Sequence, residues 1–210
     1  AASGVGSVTV YRKLRVATVT TGSELAEPGT ELKPGYIYNS NSYQLGAQLQ
    51  EMGCEHIPFG IIPDTIEAHE KFLGRGLEEA DILIVTGGVS MGDFDYVPET
   101  LRNLGTEVLI HGLRIKPGKP LLFGRKGSKL VFGMPGNPVS SYVLFDVLVK
   151  PLIYQLNGLE YSPLLIPGEL TDSVDRRDTE RHEFRPVRLS RIKGLVKVEP
   201  LSYHGSAHLN

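Results

Sequence analysis

The sequence predicts an α/β fold: a doubly wound, mostly parallel sheet with helices on both faces, followed by a small, mainly β unit. Three observations predict it. Strand-like and helix-like stretches alternate from residue 14 to residue 158. Residues 81–86, D-I-L-I-V-T, form a continuous apolar run, as expected where both faces of a parallel strand are covered. Beyond Gly158 the pattern changes to short alternating segments, F-R-P-V-R-L and G-L-V-K-V-E-P.

The elements follow in order. Residues 1–13 are mostly small and apolar and read as the remnant of a preceding domain and a linker. Residues 14–20 are β-branched and predict a buried strand that ends at T-G-S-E (21–24). A Pro/Gly-rich loop covers 27–35. Residues 41–52 carry Leu45, Leu49 and Met52 at helical spacing, with Ser40 or Asn41 as the cap. A second strand spans 57–62, and Asp64 with Glu67 forms a capping-box-like start to a helix reaching 79. After the 81–86 strand comes G-G-V-S-M-G-D-F-D, then a helix over 96–104. Further strands are expected over 106–115, 120–123 and 130–132. Pro138, after Asn137 as cap, opens a long apolar helix to 156, with Pro151 as the place for an interruption. The α/β domain is therefore placed at 14–158. Residues 159–210 are read as the start of a C-terminal β domain that stops without a closing element.

Bulk properties narrow the classes of function. Lys and Arg total 22 against 24 Asp and Glu, a net charge of -2, so no overall electrostatic case exists for nucleic acid or an anionic membrane. Any anionic ligand must be held by local cations and backbone dipoles. The single cysteine, Cys54, excludes an intrachain disulfide framework and a cysteine-based zinc site; it reads as a small buried hydrophobe in a cytoplasmic protein. No apolar run is expected to reach the length of a membrane span. The chain has 24 glycines, and their excess gathers at T-G-S-E, T-G-G-V-S-M-G-D, K-P-G-K-P and G-M-P-G-N-P, where the backbone must bend sharply or approach a ligand.

Three of these glycine loops follow strands, and ligands of open α/β sheets sit outside the carboxyl ends of strands. Backbone N–H groups at such turns, with a helix N-terminus, favour phosphate. A ligand-free tight turn is the alternative for any one of them. Neither G-x-G-x-x-G nor a P-loop is present. Glu24, Asp64, Asp93 and Asp95 all lie just after strands, where hard oxygen ligands for Mg2+ would belong. Asp64 and Asp95 are equally suited to capping the helices they precede, and Asp93 to a solvated loop. Lys116 and Lys119 flank Pro117-Gly118 and suit either an anion or a basic surface hairpin. Arg181 and Arg185 fall on one face of an alternating strand, an anion site or a solvated face. The six histidines show no zinc spacing.

Four segments carry a resemblance: T-G-S-E-L (21–25), G-G-V-S-M-G-D-F-D-Y (87–96), I-K-P-G-K-P (115–120) and F-G-M-P-G-N-P-V-S-S (132–141). In content, order and spacing they resemble the motifs of the molybdopterin molybdenumtransferase family, which includes the E domain of gephyrin. The resemblance implies a transferase of molybdenum cofactor biosynthesis. Such an enzyme inserts molybdate into adenylylated molybdopterin and releases AMP with Mg2+. It implies Glu24, Asp64 and Asp95 as catalytic and metal-binding carboxylates and Lys116 as a catalytic lysine. It also implies that Thr86, Gly87, Gly88, Ser90, Lys119, Pro135, Gly136, Asn137, Pro138 and Ser140 line the substrate site, and that Arg181 and Ser206 bind molybdate. A homodimer is implied for the full-length parent, with no nucleic-acid or membrane partner.

Two positions depart from the family pattern: Ser23 stands where many members have Asp, and Gly112, or His111 if the alignment is shifted, where a second functional lysine is expected. Two other activities share the fold. One is a molybdopterin adenylyltransferase using MgATP, whose G-G-T-G contrasts with G-G-V-S here. The other is a non-catalytic scaffold, which has no need to keep Glu24, Asp64, Asp95 and Lys116.

Overall fold

A computed structural model describes residues 2–89, 95–174 and 180–201 of the protein. The chain forms β1 (Arg15–Thr21), two short strands β2 (Leu25–Ala26) and β3 (Ile37–Tyr38), helix α1 (Ser40–Glu51), β4 (Glu55–Ile62), α2 (Ile66–Glu79), β5 (Ile82–Thr86) and α3 (Tyr96–Asn103). It continues through β6 (Glu107–His111), β7 (Ile115–Lys116), β8 (Leu122–Lys126) and β9 (Lys129–Met134) to α4 (Pro138–Leu144), a π turn (Phe145–Val149) and α5 (Lys150–Leu156). The last strands are β10 (Glu169–Leu170), β11 (His182–Glu183), β12 (Val187–Ile192) and β13 (Leu195–Pro200).

The main sheet has the order β4-β1-β5-β9-β8-β6. β4, β1, β5 and β9 run parallel, whereas β8 and β6 are antiparallel additions. The alternation of side chains along β1 and β5 builds two cores. Val16, Ile82 and Ile84 face Leu45 and Leu49 of α1 and Leu144, Phe145, Val149 and Ile153 of the last long helix. Ala17, Val19, Leu83 and Val85 face Leu73 and Leu77 of α2 and Val97 and Leu101 of α3. That is the predicted doubly wound arrangement.

β4 forms one rim of the sheet. Its exposed Pro58 pairs with Thr18, its register shifts between Thr18 and Thr20, and Gly60 has φ +73°.

Several expected boundaries change. The cap of α1 is Asn39, whose side chain accepts from the Ser42 N–H, rather than Ser40 or Asn41. The cap of α2 is Thr65, which accepts from the Ala68 N–H, so Asp64 is not the capping residue. The strand expected over 106–115 divides into β6 and β7 around Gly112, at φ +92°. Proline at 151 does not end its helix. Its missing N–H and bulky ring conflict with the preceding α turn, and the π turn at Phe145–Val149 takes up that conflict.

The resulting 19-residue helix, Pro138–Leu156, is long and apolar enough by length and composition to cross a membrane, contrary to the sequence reading. Packing accounts for its apolar side chains: Leu144, Phe145, Val149 and Ile153 are buried in the core, and Val147, Leu148 and Leu152 pack against it.

The second, smaller sheet has the order β10-β13-β12. Its β12–β13 hairpin turns through Lys193 and Gly194, both at positive φ, the geometry of a tight two-residue hairpin loop. β11 stands apart from it and pairs in parallel with β7.

Candidate functional site

The three strand-end loops and the start of α1 meet in one cleft of about 480 Å³. From the first loop come Thr20, Thr21 and Glu24; from the second, Gly87 and Gly88; from the third, Gly136, Asn137 and Pro138. Ile37, Tyr38, Asn39, Ser40 and Asn41 close the remaining side. The sequence explains the convergence. β1, β5 and β9 are parallel neighbours, so their carboxyl ends, and the turns that follow, lie along one edge.

The floor of the cleft is tightly tied. Gly87 has φ +88° and donates its N–H to the Met134 carbonyl at 3.0 Å. A Cβ there would lie 2.5 Å from the Thr21 carbonyl oxygen, so no other residue lets the second loop approach the first so closely. Thr86 is fully buried; its hydroxyl donates to Thr20 Oγ1 at 3.2 Å, and Thr20 Oγ1 is 2.7 Å from Ser42 Oγ. Asn137 caps α4 by accepting from the Ser140 N–H at 3.2 Å. The buried Ser141 donates to the Pro135 carbonyl at 2.7 Å and so fixes the turn. Asn41 Nδ2 donates to the Gly136 carbonyl at 2.8 Å, joining the start of α1 to the third loop.

Two helix N-termini, of α1 and α4, thus stand beside the Gly87-Gly88 turn. Their first-turn amides and dipoles make the cleft receptive to negative charge.

A second cleft, of about 780 Å³, lies across the T-G-S-E-L loop and is lined by Gly22, Ser23, Leu25, Pro63, Asp64, Thr65 and Tyr96 among others. Here Asp64 Oδ2 accepts from the Ser23 N–H at 2.8 Å. The carboxylate predicted either to cap α2 or to bind metal is not the cap; it holds the first glycine loop in place. Leu25 lines both clefts, so the loop is the wall between them.

The predicted residues therefore divide into groups. Glu24, Thr86, Gly87, Gly88, Gly136, Asn137, Pro138 and Ser140 line or support the first cleft. Pro135 contributes the carbonyl that Ser141 engages. Asp64 belongs to the second cleft, and Asp95 is the N-cap residue of α3 without a side-chain cap hydrogen bond. Among the described residues, no group of three His, Cys, Asp or Glu side chains is gathered for a metal ion, so Glu24, Asp64 and Asp95 do not form the expected three-carboxylate set. Glu24 lines the first cleft and Asp64 the second.

Lys116 is joined to β11 by an ion pair. Its ammonium lies 3.0 Å from Glu183 Oε1, and Arg185 lies 3.0 Å from Glu183 Oε2. The Glu183 side chain is 6 % exposed, so it joins β11 to the Lys116-Pro117-Gly118 turn through a nearly buried carboxylate. Arg181, just before β11, is brought beside Arg114, whose carbonyl accepts from the His182 N–H at 2.8 Å. Lys119 is exposed, and its carbonyl accepts from Leu113 and Leu121. Ser90 and Ser206 lie outside the described residues.

Asn39 and Asn41 were not among the predicted site residues. The N-S-N-S run directly after a short strand is the signal that marks them, since asparagine favours the first turn of a helix. Away from the cleft, Cys54 is half-buried and burial pushes its thiol pKa up, in keeping with an inert packing residue.

Comparison with known proteins bears on this geometry. The family described as "Probable molybdopterin binding domain" matches residues 17–155, which contain the whole first cleft. The chain belongs to this molybdopterin-binding family. It is 34% identical over 212 residues to a molybdopterin molybdenumtransferase of Haemophilus influenzae, covering 98% of this chain and 51% of that protein. It is 41% identical over 202 residues to a molybdopterin molybdenumtransferase of Nostoc sp., covering 94% of this chain and 46% of the relative. The crystal structure of a molybdopterin biosynthesis MoeA protein from Pyrococcus horikoshii is 33% identical, with a TM-score of 0.79, over 96% of this chain and 48% of that one. The chain spans about half the length of these curated relatives.

Proposed function

We propose that the chain is the substrate-binding part of a molybdopterin molybdenumtransferase, which inserts molybdate into adenylylated molybdopterin and releases AMP. The observation that carries this reading is the convergence of three glycine loops and two helix N-termini on one cleft of about 480 Å³. A pterin nucleotide presents phosphates with a planar group on either side. Amide donors at Gly88 and the starts of α1 and α4 suit the phosphates, and the Ile37-Tyr38 wall supplies apolar and aromatic surface.

The residues present fit a magnesium ion in a limited way. Mg2+ commonly takes one or two carboxylates and completes its shell with water and substrate phosphates. Asp64, held by the Ser23 N–H, is a preoriented hard-oxygen donor for such a site, and Asp95 at the head of α3 is a second. A bound Mg2+ would offset charge on the phosphates as the leaving group departs. Arg181 and the neighbouring basic residues are the candidates for drawing in the molybdate oxyanion.

The test uses the full-length parent. AMP release from adenylylated pterin is expected only with both molybdate and Mg2+. Asp64→Asn and Asp95→Asn should each slow release while leaving the thermal midpoint within a few degrees. Wild-type rates in both variants would remove the carboxylates from the mechanism, and adenylation of pterin from ATP without molybdate-dependent AMP release would replace the reading altogether.

A further inference from the structure

The start of α1 carries amides that the reading above assigns to phosphate, and a residue outside the cleft fixes that start. The helix cap, Asn39, is 1 % exposed, and both ends of its side-chain amide are engaged. Oδ1 accepts from the Ser42 N–H at 3.2 Å, while Nδ2 donates to Ser42 Oγ at 2.9 Å and to Glu27 Oε1 at 3.1 Å. An ionised carboxylate only accepts, so Glu27 decides which way the amide faces. Reversing it would set Oδ1 against the carboxylate and leave the Ser42 N–H facing an NH2 group.

The other carboxylate oxygen reaches farther along the helix. Oε2 accepts from the Tyr43 hydroxyl at 3.2 Å, so one side chain grips both the cap and the first turn of α1. Glu27 is itself braced. Its carbonyl accepts from the Thr30 N–H at 3.2 Å and from the Thr30 hydroxyl at 2.7 Å, and the carbonyl of neighbouring Ala26 accepts from the Asn39 N–H at 2.9 Å. Glu27 lines a different cavity, of about 670 Å³, whereas Asn39, Ser40 and Asn41 line the cleft. Its influence on the cleft therefore runs through Asn39.

We infer that Glu27 is a positioning residue: it orients Asn39, and through that cap the first-turn amides of α1, to receive the phosphate of the ligand. The inference rests on the reading of the cleft as a phosphate site. By charge alone, a carboxylate beside an anion site opposes binding. The two effects of Glu27 thus have opposite signs, which makes them separable.

Titration calorimetry on this chain with inorganic pyrophosphate and with AMP separates them. Glu27→Gln removes the charge but keeps an oxygen that accepts from Asn39 Nδ2, and Glu27→Ala removes both. The Gln variant is expected to bind pyrophosphate at least as tightly as wild type. The Ala variant should bind about fivefold more weakly than the Gln variant, the scale of one lost hydrogen bond, and AMP should follow the same order. Glu27→Asp keeps the charge and shortens the reach by one methylene, so it should bind more weakly than wild type; it also decides the question if the Ala variant does not fold, because wild-type affinity in Glu27→Asp then overturns the inference. Equal or tighter binding by Glu27→Ala relative to Glu27→Gln overturns it while leaving the cleft reading intact. A lower thermal midpoint in Glu27→Ala with unchanged affinity does the same, since that is the mark of a purely structural tie. Absence of binding of both ligands by wild-type protein overturns the cleft reading and this inference together.

Discussion

Replacing Gly87 with alanine should destabilise the protein by about 2–5 kcal/mol, and the structure shows why. Gly87 has φ +88°, where a side chain costs roughly 1–2 kcal/mol of backbone strain. A new Cβ would also lie 2.5 Å from the Thr21 carbonyl oxygen and 2.8 Å from Thr21 Oγ1. A backbone oxygen cannot swing aside as a side chain can, so the loops must separate, an overpacking cost of roughly 1–3 kcal/mol. Gly127 is the control. It also has positive φ, +58°, but an added Cβ meets nothing within 4 Å, so Gly127→Ala should show the backbone cost alone. Urea denaturation of both variants, with unchanged slopes, isolates the cost of close approach as the difference between them. Coincident midpoints would refute the claim that the first two glycine loops are locked together at Gly87.

Other perturbations address separate links. Thr65→Ala removes the N-cap of α2 and should cost about 0.5–2 kcal/mol in denaturant unfolding, while Asp64, which is not the cap, should show its main effect on AMP release. Glu183→Ala strips Lys116 and Arg185 of a nearly buried partner and should cost about 1–3 kcal/mol by the same measurement, with earlier proteolysis around β11. Asp81 is held down to a pKa of about 2, chiefly by the Arg12 side chain, against an ordinary 3.8. A depressed carboxylate contributes stability above its unfolded value and loses it as pH falls. Thermal midpoints should therefore drop between pH 3.8 and about 2, and Asp81→Asn should flatten that part of the profile.

Much of the fold was legible because its signals are local. The apolar 81–86 run and the Leu45–Leu49 spacing need no tertiary knowledge, and both elements appear where expected. The glycine clusters announced the cleft because close backbone approach admits few other residues, as Gly87 illustrates. What remained hidden depends on partners distant in sequence. Nothing near Asp64 indicates that its oxygen will meet Ser23, so capping and ligation were indistinguishable there. Nothing near Lys116 announces Glu183, which arrives 67 residues later on a two-residue strand too short to carry a periodic pattern. That Glu24 and Asp64 line different clefts is a property of path rather than composition.

The rim formed by β4 has a bearing on behaviour in concentrated solution. An unpaired strand offers a template on which a second molecule can extend the ladder, the first step toward ribbons and fibrils. Pro58 supplies no N–H in the middle of that rim, and the left-handed backbone at Gly60 twists the following residues out of line. An incoming chain would find its row of amide contacts broken halfway, so this margin of the molecule resists edge-to-edge growth without any covering element.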